Sequence, residues 1–348
     1  MNFLIVLIVA AGLGLAWYGF TRAYDPKAKI ARENPAGAKR RADILAALRA
    51  LAFFFLVNFV ITTLVVFGAA FFLALIAPPK QKAFADAFGE IINSVSSDKG
   101  VLSALSIGGA LVSLVAMLIT VFISQRVARN QAVLDLGLRP YKALPFDLMM
   151  GLLLGPLLFA LIWLLESSTG FLLGTVGNSA SYDWGELAKW ALIFACIAVS
   201  EELMVRGYIL QTINQAWGGA VAVVASSLYW GLAHILNPNA SLISALNITV
   251  AGLLFAYAYF ITGSLWLPIA LHFSWNFAQG AIFGYSVSGF KVENSILQPI
   301  IEGPKAITGG LFGPEGGLVA LLAILMGALI LYGWGRSRQV SPADKSNK

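Results

Sequence analysis

The sequence contains little charge and few of the side chains that bind metals. Only 11% of its 348 residues are charged, whereas about a quarter are charged in an ordinary soluble domain. A single cysteine, Cys196, excludes a disulfide framework and a cysteine-based metal cluster. The chain also has only two histidines, which excludes a histidine-rich metal site. This composition further excludes a disordered chain and a nucleic-acid-binding protein, so no nucleic-acid partner is expected.

Apolar residues dominate the chain. They make up 59% of it, and the mean hydropathy is +0.80. Several stretches without Asp, Glu, Lys or Arg are long enough to cross a bilayer, which takes ~20 residues. The sequence shows no period-two alternation, and only helices and closed barrels satisfy their backbones in lipid. We therefore predict an all-α, polytopic helical membrane protein.

The sequence divides into nine predicted membrane helices. No formal charge occurs from Gly207 to Phe290, so this region is divided at turn signals near 215–219, 237–239 and 262–264. The first helix is kept because it lacks the positively charged start of a signal peptide. The predicted helices cover 3–20, 50–79, 100–125, 148–165, 188–211, 220–236, 247–262, 265–284 and 316–335.

The basic residues predict the orientation in the membrane. The loop 21–49 contains eight Lys and Arg, the loop 126–142 contains four, and the tail 336–348 contains four. With nine spans these three segments lie on the same side. The positive-inside rule then places the C-terminus in the cytoplasm and the N-terminus outside.

A small set of polar side chains falls inside these apolar helices. Each charged group at the centre of a bilayer costs about 2.5–3.5 kcal/mol, and buried polar groups are tolerated when they satisfy one another. We therefore expect one shared site rather than separate packing residues or a lone helix-locking ion pair. The set consists of Glu201, Glu202, Arg206, His234, His272 and Asn276.

Helical spacing predicts how these side chains pair. Glu202 and Arg206 are four residues apart and share a helix face, whereas Glu201 is rotated by about 100° and lacks that partner. His272 and Asn276 also share a face. Counted at ~1.5 Å per residue from the predicted ends, Glu201 and His234 miss each other by several ångströms. Either a span end must shift or a helix must tilt.

These groups are suited to hydrolysing an amide with activated water. A carboxylate can accept the proton of water, a histidine can orient that water, and a second histidine with an asparagine can stabilise an oxyanion. The G-x-S-x-G and H-E-x-x-H signatures are absent. One glutamate with two histidines could still bind Zn²⁺ with an open position for water.

Three segments resemble the CAAX protease and bacteriocin-processing (CPBP, also ABI or Rce1-like) family of intramembrane proteases. Residues 200–207 are similar to its E-E-x-x-x-R motif, and residues 265–276 to its H-x-x-x-N motif. Residues 230–234 are similar to its F-x-x-x-H motif, with Trp230 in place of Phe, a change expected to affect the shape of the site more than its catalytic set. The resemblance implies a protease core at 188–335, after variable helices at 1–187 and before a cytoplasmic tail at 336–348.

The resemblance also implies a role for each motif residue. Glu201 would activate water, and His234 would position it. His272 and Asn276 would bind the oxyanion, while Glu202 and Arg206 would brace the site. A metal-free mechanism is expected, and if Zn²⁺ were present its ligands would be Glu201, His234 and His272.

The expected function is therefore an intramembrane endopeptidase in a bacterial plasma membrane. Its partners would be the lipid bilayer and a peptide or membrane-protein substrate, and no feature of the sequence predicts an oligomeric state. Two other hypotheses remain open. One is a catalytically silent immunity or scaffold protein, and the other is a proton- or ion-coupled transporter.

Overall fold

A computed structural model describes residues 35–76, 106–177 and 184–340, and this part of the chain is almost entirely helical. The predicted all-α class is confirmed. The predicted helix 3–20 lies outside the described residues. The division into a variable region, a core and a tail remains a prediction.

The described part of the chain contains ten α-helices, seven π-helical or 3-10 turns and two short strands. The α-helices are α1 Pro35–Ile76, α2 Ile107–Ser124, α3 Leu144–Ser168, α4 Trp184–Glu202, α5 Leu210–Trp217, α6 Gly219–Ala233, α7 Leu242–Thr262, α8 Trp266–Asn276, α9 Lys305–Thr308 and α10 Leu318–Val340. Wider π-helical turns cover Gln125–Arg129, Leu203–Ile209 and Phe277–Ile282. Tighter 3-10 turns cover Val133–Leu136, His234–Leu236, Gly310–Phe312 and Pro314–Gly316. The strands are β1 Leu172–Gly177 and β2 Leu297–Ile301.

Six of the described helices are long and apolar enough to cross a membrane by length and composition. They are Lys39–Gly68, Ile107–Arg129, Leu144–Ser168, Gly219–Leu236, Leu242–Thr262 and Leu318–Ser337. The predicted spans at 188–211 and 265–284 are helical but do not belong to these six. Those two helices carry the Glu pair and His272, and each is interrupted by a π-helical turn. The count of nine equivalent spans is thus too simple, because two of the three helices that carry site residues are irregular.

One end of the bundle joins the loop after α2 to the turn after α7. The backbone N–H of Leu265 donates to the Gly137 carbonyl at 3.0 Å, and the Gln211 amide donates to the Leu136 carbonyl at 2.9 Å. These segments belong to loops that the sequence places on one side of the membrane.

The other end is formed by the connections that the sequence places on the opposite side. The Asn237 amide donates to the Ser288 carbonyl at 3.0 Å, and the Tyr285 hydroxyl donates to Glu166 at 2.6 Å. Burial, reinforced by the neighbouring Glu166, raises the pKa of the Tyr285 phenol above its usual range, so the hydroxyl keeps its proton as a donor. The loops therefore alternate between the two ends as the predicted topology requires.

A two-stranded sheet at this second end was not predicted. β1 pairs antiparallel with β2, with Leu172 opposite Ile301 and Gly177 opposite Leu297. An irregularity in the register lies between Leu172 and Gly174. The strands are short and joined across more than a hundred residues, so local alternation gave no signal for them. The sheet ties the loop after α3 to the loop that precedes α9.

Glycines let α3 pack closely against α8, which carries His272. A Cβ atom added at Gly155 would lie 2.2 Å from Ser274 Oγ and 2.4 Å from the Trp275 backbone nitrogen. One added at Gly151 would lie 2.7 Å from Ala270 Cβ. Small residues at such positions let two membrane helices approach each other closely.

Replacing Gly155 with Ala should therefore force α3 and α8 apart. We expect a loss of about 1–3 kcal/mol of stability, as for other overpacked interiors, measured as a lower thermal unfolding midpoint in detergent. Gly333→Ala is the matched control, because a Cβ atom there meets nothing within 4 Å. Equal midpoints for the two variants would contradict the close packing of these helices.

Candidate active site

A buried ion pair connects the helix that carries the Glu pair to α8. Arg206 Nη1 donates to Glu202 Oε1 at 2.8 Å, and both side chains are fully buried. His272 Nδ1 lies 3.0 Å from the same oxygen. The predicted pairing of Glu202 with Arg206 is thus present, and His272 joins it from another helix.

The guanidinium of Arg206 is enclosed by aromatic rings. Its Cζ lies 4.3 Å from the centre of the Trp230 ring and 5.0 Å from that of Phe255. Nη2 donates to the Gly252 carbonyl at 3.3 Å. Such cation–π contacts gain strength where water is excluded. Arg206 is therefore fixed as a structural cation and does not line the cavity described below.

Glu201 points away from this ion pair. Its Oε2 accepts a hydrogen bond of 2.7 Å from the indole Nε1 of Trp230. Glu201 is only partly buried, and it lines a cavity of about 360 Å³. The two adjacent glutamates thus have different environments, as their helical rotation predicted: Glu202 is locked in a buried pair and Glu201 faces open space.

His234 lines the same cavity at the end of α6. Its Nδ1 lies 2.7 Å from the Trp230 carbonyl oxygen. Because a carbonyl can only accept, Nδ1 carries the proton. In the neutral ring Nε2 is then left as an acceptor.

His272 and Asn276 line the cavity from α8, as their spacing predicted. Both are at least nine-tenths buried. The His272 ring stacks on Phe255, with ring centres 5.4 Å apart and an interplanar angle of 16°. Within the described residues, no hydrogen bond of the protein engages the Asn276 amide. All six polar residues singled out in the sequence therefore meet in one region, four of them on the cavity wall.

The predicted difference in depth between Glu201 and His234 disappears because the helix that carries Glu201 is longer than expected. The helix carrying Glu201 continues through the turn Leu203–Ile209 and α5 to Trp217, instead of ending near residue 211. Counted at ~1.5 Å per residue, Glu201 is now roughly 24 Å, and His234 roughly 22 Å, from the turn that joins their helices. The error lay in the predicted span end.

Wide π-helical turns directly follow both site segments. One covers Leu203–Ile209 after the Glu pair, and the other covers Phe277–Ile282 after Asn276. Turns of this kind are rare and occur frequently at functional sites. The first contains Arg206, whose guanidinium contacts the rings of Trp230 and Phe255. Nothing in the residue pattern predicted either turn.

Zn²⁺ is the cofactor that the sequence left open. Among the described residues, no three His, Cys, Asp or Glu side chains are grouped so that they could bind one metal ion. The set of Glu201, His234 and His272 therefore does not fit a preformed zinc site.

Sequence reasoning missed two contributors to the site. Trp230 was expected to act through its bulk, but its indole N–H is a hydrogen-bond donor to Glu201. Glu315 lies in the Gly-rich loop before α10 and also lines the cavity. The first could have been suspected from the substitution of a donor-bearing ring for Phe. The role of Glu315 can be recognised only from the folded structure, since no sequence spacing relates this residue to the other motifs.

The fold and the site together define a multi-pass helical membrane protein with a largely apolar cavity, lined by Glu201, His234, His272 and Asn276. The Type II CAAX prenyl endopeptidase Rce1-like family matches residues 183–278. This match confirms the resemblance over the segment that contains all three motifs. No curated protein and no solved structure matches the chain.

Replacing Trp230 with Phe tests the indole donor. Phe keeps an aromatic ring beside Arg206 but removes the hydrogen bond to Glu201. Hydrogen bonds to charged groups contribute about 1.5–3 kcal/mol, so we expect kcat/KM for peptide cleavage to fall by about tenfold or more. Trp266→Phe is the control, because its indole donates to the Leu138 carbonyl at the other end of the bundle. Unchanged cleavage by Trp230→Phe would rule out a role for the donor.

Substituting each glutamate by Gln separates bracing from chemistry. Glu202→Gln leaves Arg206 as a buried charge without its carboxylate partner, which should cost about 3–5 kcal/mol of stability. Glu201→Gln keeps an acceptor for Trp230 and should change stability by less than about 1 kcal/mol. Thermal unfolding of the two variants in the same detergent measures the difference. Equal losses of stability in the two variants would show that Glu202 does not hold the site together more than Glu201 does.

Proposed function

We propose that the protein is an intramembrane endopeptidase that hydrolyses peptide bonds with a water activated by Glu201. The family match indicates the general class, an intramembrane protease. The observation that supports the mechanism best is the environment of Glu201. Its carboxylate faces the cavity with one oxygen bound by Trp230, whereas its neighbour Glu202 is fully buried behind the cavity wall, with Oε1 held by Arg206 and His272.

In this mechanism a water lies between Glu201 and His234. The free oxygen of Glu201 accepts a proton from the water, and His234 Nε2 accepts a hydrogen bond that orients it. The resulting hydroxide attacks the carbonyl carbon of the substrate. The proton on Glu201 then passes to the leaving amine as the C–N bond breaks, which restores the carboxylate.

His272 and Asn276 stabilise the oxyanion in the proposed mechanism. With Nδ1 donating to Glu202, a protonated His272 presents Nε2–H to the cavity, and Asn276 adds an amide N–H. A protonated His272 also balances charge, since Glu201 and Glu202 then face two cations, Arg206 and His272. A neutral site costs less in a low-dielectric interior than an uncompensated one.

We further propose that the protein resides in a bacterial plasma membrane with its C-terminal end in the cytoplasm. The distribution of basic residues supports this orientation. The cavity wall includes Asn237, Ser288 and Glu315 from the loops at one end of the bundle. In this orientation the cavity lies toward the outer face.

Glu201→Gln is the central test of the proposed function. We expect it to lower cleavage of a quenched fluorogenic peptide library by at least about 10³-fold, because the amide cannot accept the proton of water. Wild type and variant are assayed in detergent, each with and without a chelator.

Glu293→Gln is the matched control, because Glu293 is exposed and lies outside the cavity. Cleavage should survive in this control and in the presence of chelator. Loss with chelator and recovery on adding Zn²⁺ would refute the metal-free mechanism. Full cleavage by Glu201→Gln would refute the role of Glu201.

A further inference from the structure

Two carboxylates line the cavity, and among the described lining residues there is no Lys or Arg. Glu201 contributes one carboxylate and Glu315 the other. Most of the remaining wall is apolar, with Phe194, Leu254 and Phe290 as examples. The charge of Arg206 is directed to Glu202 behind the wall. The space that a substrate would enter is therefore largely apolar. In the proposed mechanism Arg206 and a protonated His272 balance Glu201 and Glu202, so Glu315 leaves one negative charge in excess.

Glu315 is positioned as an ionised carboxylate. Its Oε1 accepts from the Trp275 indole at 3.1 Å. Its Oε2 accepts from both the backbone N–H and the hydroxyl of Ser288, each at 2.8 Å. Three donors and no acceptor face the carboxyl group, which suits the acceptor-only, charged form.

The loop that carries Glu315 is fixed to the rest of the site. The Asn247 amide donates to the carbonyls of Glu315 and Gly317 at 2.9 and 2.7 Å. Trp275, which donates to the Glu315 carboxylate, follows His272 by three residues on α8. Trp275, His272 and Asn276 line the same cavity, so Glu315 is held at the wall that carries the proposed oxyanion site. It cannot move away from an incoming charge without breaking these hydrogen bonds.

We propose that this cavity accepts an apolar peptide segment that is neutral or basic, and that Glu315 rejects a substrate carboxylate near the scissile bond. The proposal rests on the proposed function of the same site. Like charges in a cavity with a largely apolar wall repel more strongly than in bulk water. Specificity arises when the wrong ligand meets such an unpaired charge. A free C-terminus within a few residues of the cleaved bond is rejected for the same reason as an Asp side chain.

Matched peptides test the charge preference. Quenched apolar octapeptides with amidated C-termini carry Asn, Asp or Lys at each position in turn, and one further set ends in a free carboxylate. With wild type, Asp should lower kcat/KM by about tenfold relative to Asn at one or more positions beside the scissile bond. Lys should be tolerated at those positions. The free carboxylate should act like Asp when it lies close to that bond.

Glu315→Gln identifies the residue responsible. It keeps an acceptor oxygen for the loop but removes the charge, so the Asn-to-Asp ratio should fall toward one at the affected position. Because the ratio is taken within each variant, a general loss of activity does not affect it. Glu302→Gln is the matched control, since Glu302 is exposed and lies outside the cavity. It should keep the wild-type ratio.

Binding of the same peptides separates this proposal from the proposed hydrolysis. Quenching of tryptophan fluorescence is titrated with each peptide set, which needs no turnover. Charge-selective binding without cleavage would overturn the hydrolytic function and support the charge selection. Equal binding or cleavage of Asp and Asn peptides, an unchanged ratio in Glu315→Gln, or no peptide binding at all would overturn the charge selection.

Discussion

The contact of Glu202 with Arg206 and His272 is the constraint on which the site depends. Removing a carboxylate and a guanidinium from water is costly, and only close pairing with further hydrogen bonds offsets that cost. Arg206 supplies the pairing from the same helix at 2.8 Å, and His272 extends it to α8 at 3.0 Å. Once these two helices are held together, Glu201 on the neighbouring helix face is directed into the cavity. The contact of Glu202 with Arg206 and His272 thus leaves Glu201 as the glutamate that is available for chemistry.

Trp230 connects the buried ion pair to Glu201, the proposed base. Its ring covers the Arg206 guanidinium, its Nε1 donates to Glu201, and its carbonyl oxygen accepts from His234. One residue therefore contacts a member of the ion pair, the carboxylate and the histidine. A Phe at this position could provide the first and third contacts, but not the second. The departure from the family motif consequently adds a donor to a site that would otherwise leave both Glu201 oxygens to solvent or substrate.

The sequence predicted the helical class, the shared polar site and the pairing of Glu202 with Arg206, since each follows from apolar length, the cost of intramembrane charge and helical spacing. It did not predict the extension of α5 to Trp217, the π-helical turns or the β1–β2 pairing. Those features depend on tertiary contacts rather than on local pattern. Glu315 was missed for the same reason: its relation to Trp275 and Ser288 exists only after the loops have folded over the cavity.

The packing at the opposite end of the site bears on the transporter hypothesis. A relay for protons or ions needs polar groups or water on both sides of the central carboxylate. Below the ion pair, toward the end where Gly137 meets Leu265, the described residues form a buried apolar cluster, and buried polar side chains such as Ser124, Gln125 and Gln211 lie beyond it toward the same end. The members of the apolar cluster are Phe54, Met117, Val121, Leu136, Leu203, Tyr208, Leu265 and Ile269. The cavity wall includes Ser288 and Glu315 from the loops at the other end of the bundle. An ion path would have to connect Glu201 with the polar groups beyond the ion pair and the apolar cluster, whereas a reaction chamber needs only one opening, because substrate and products can share it.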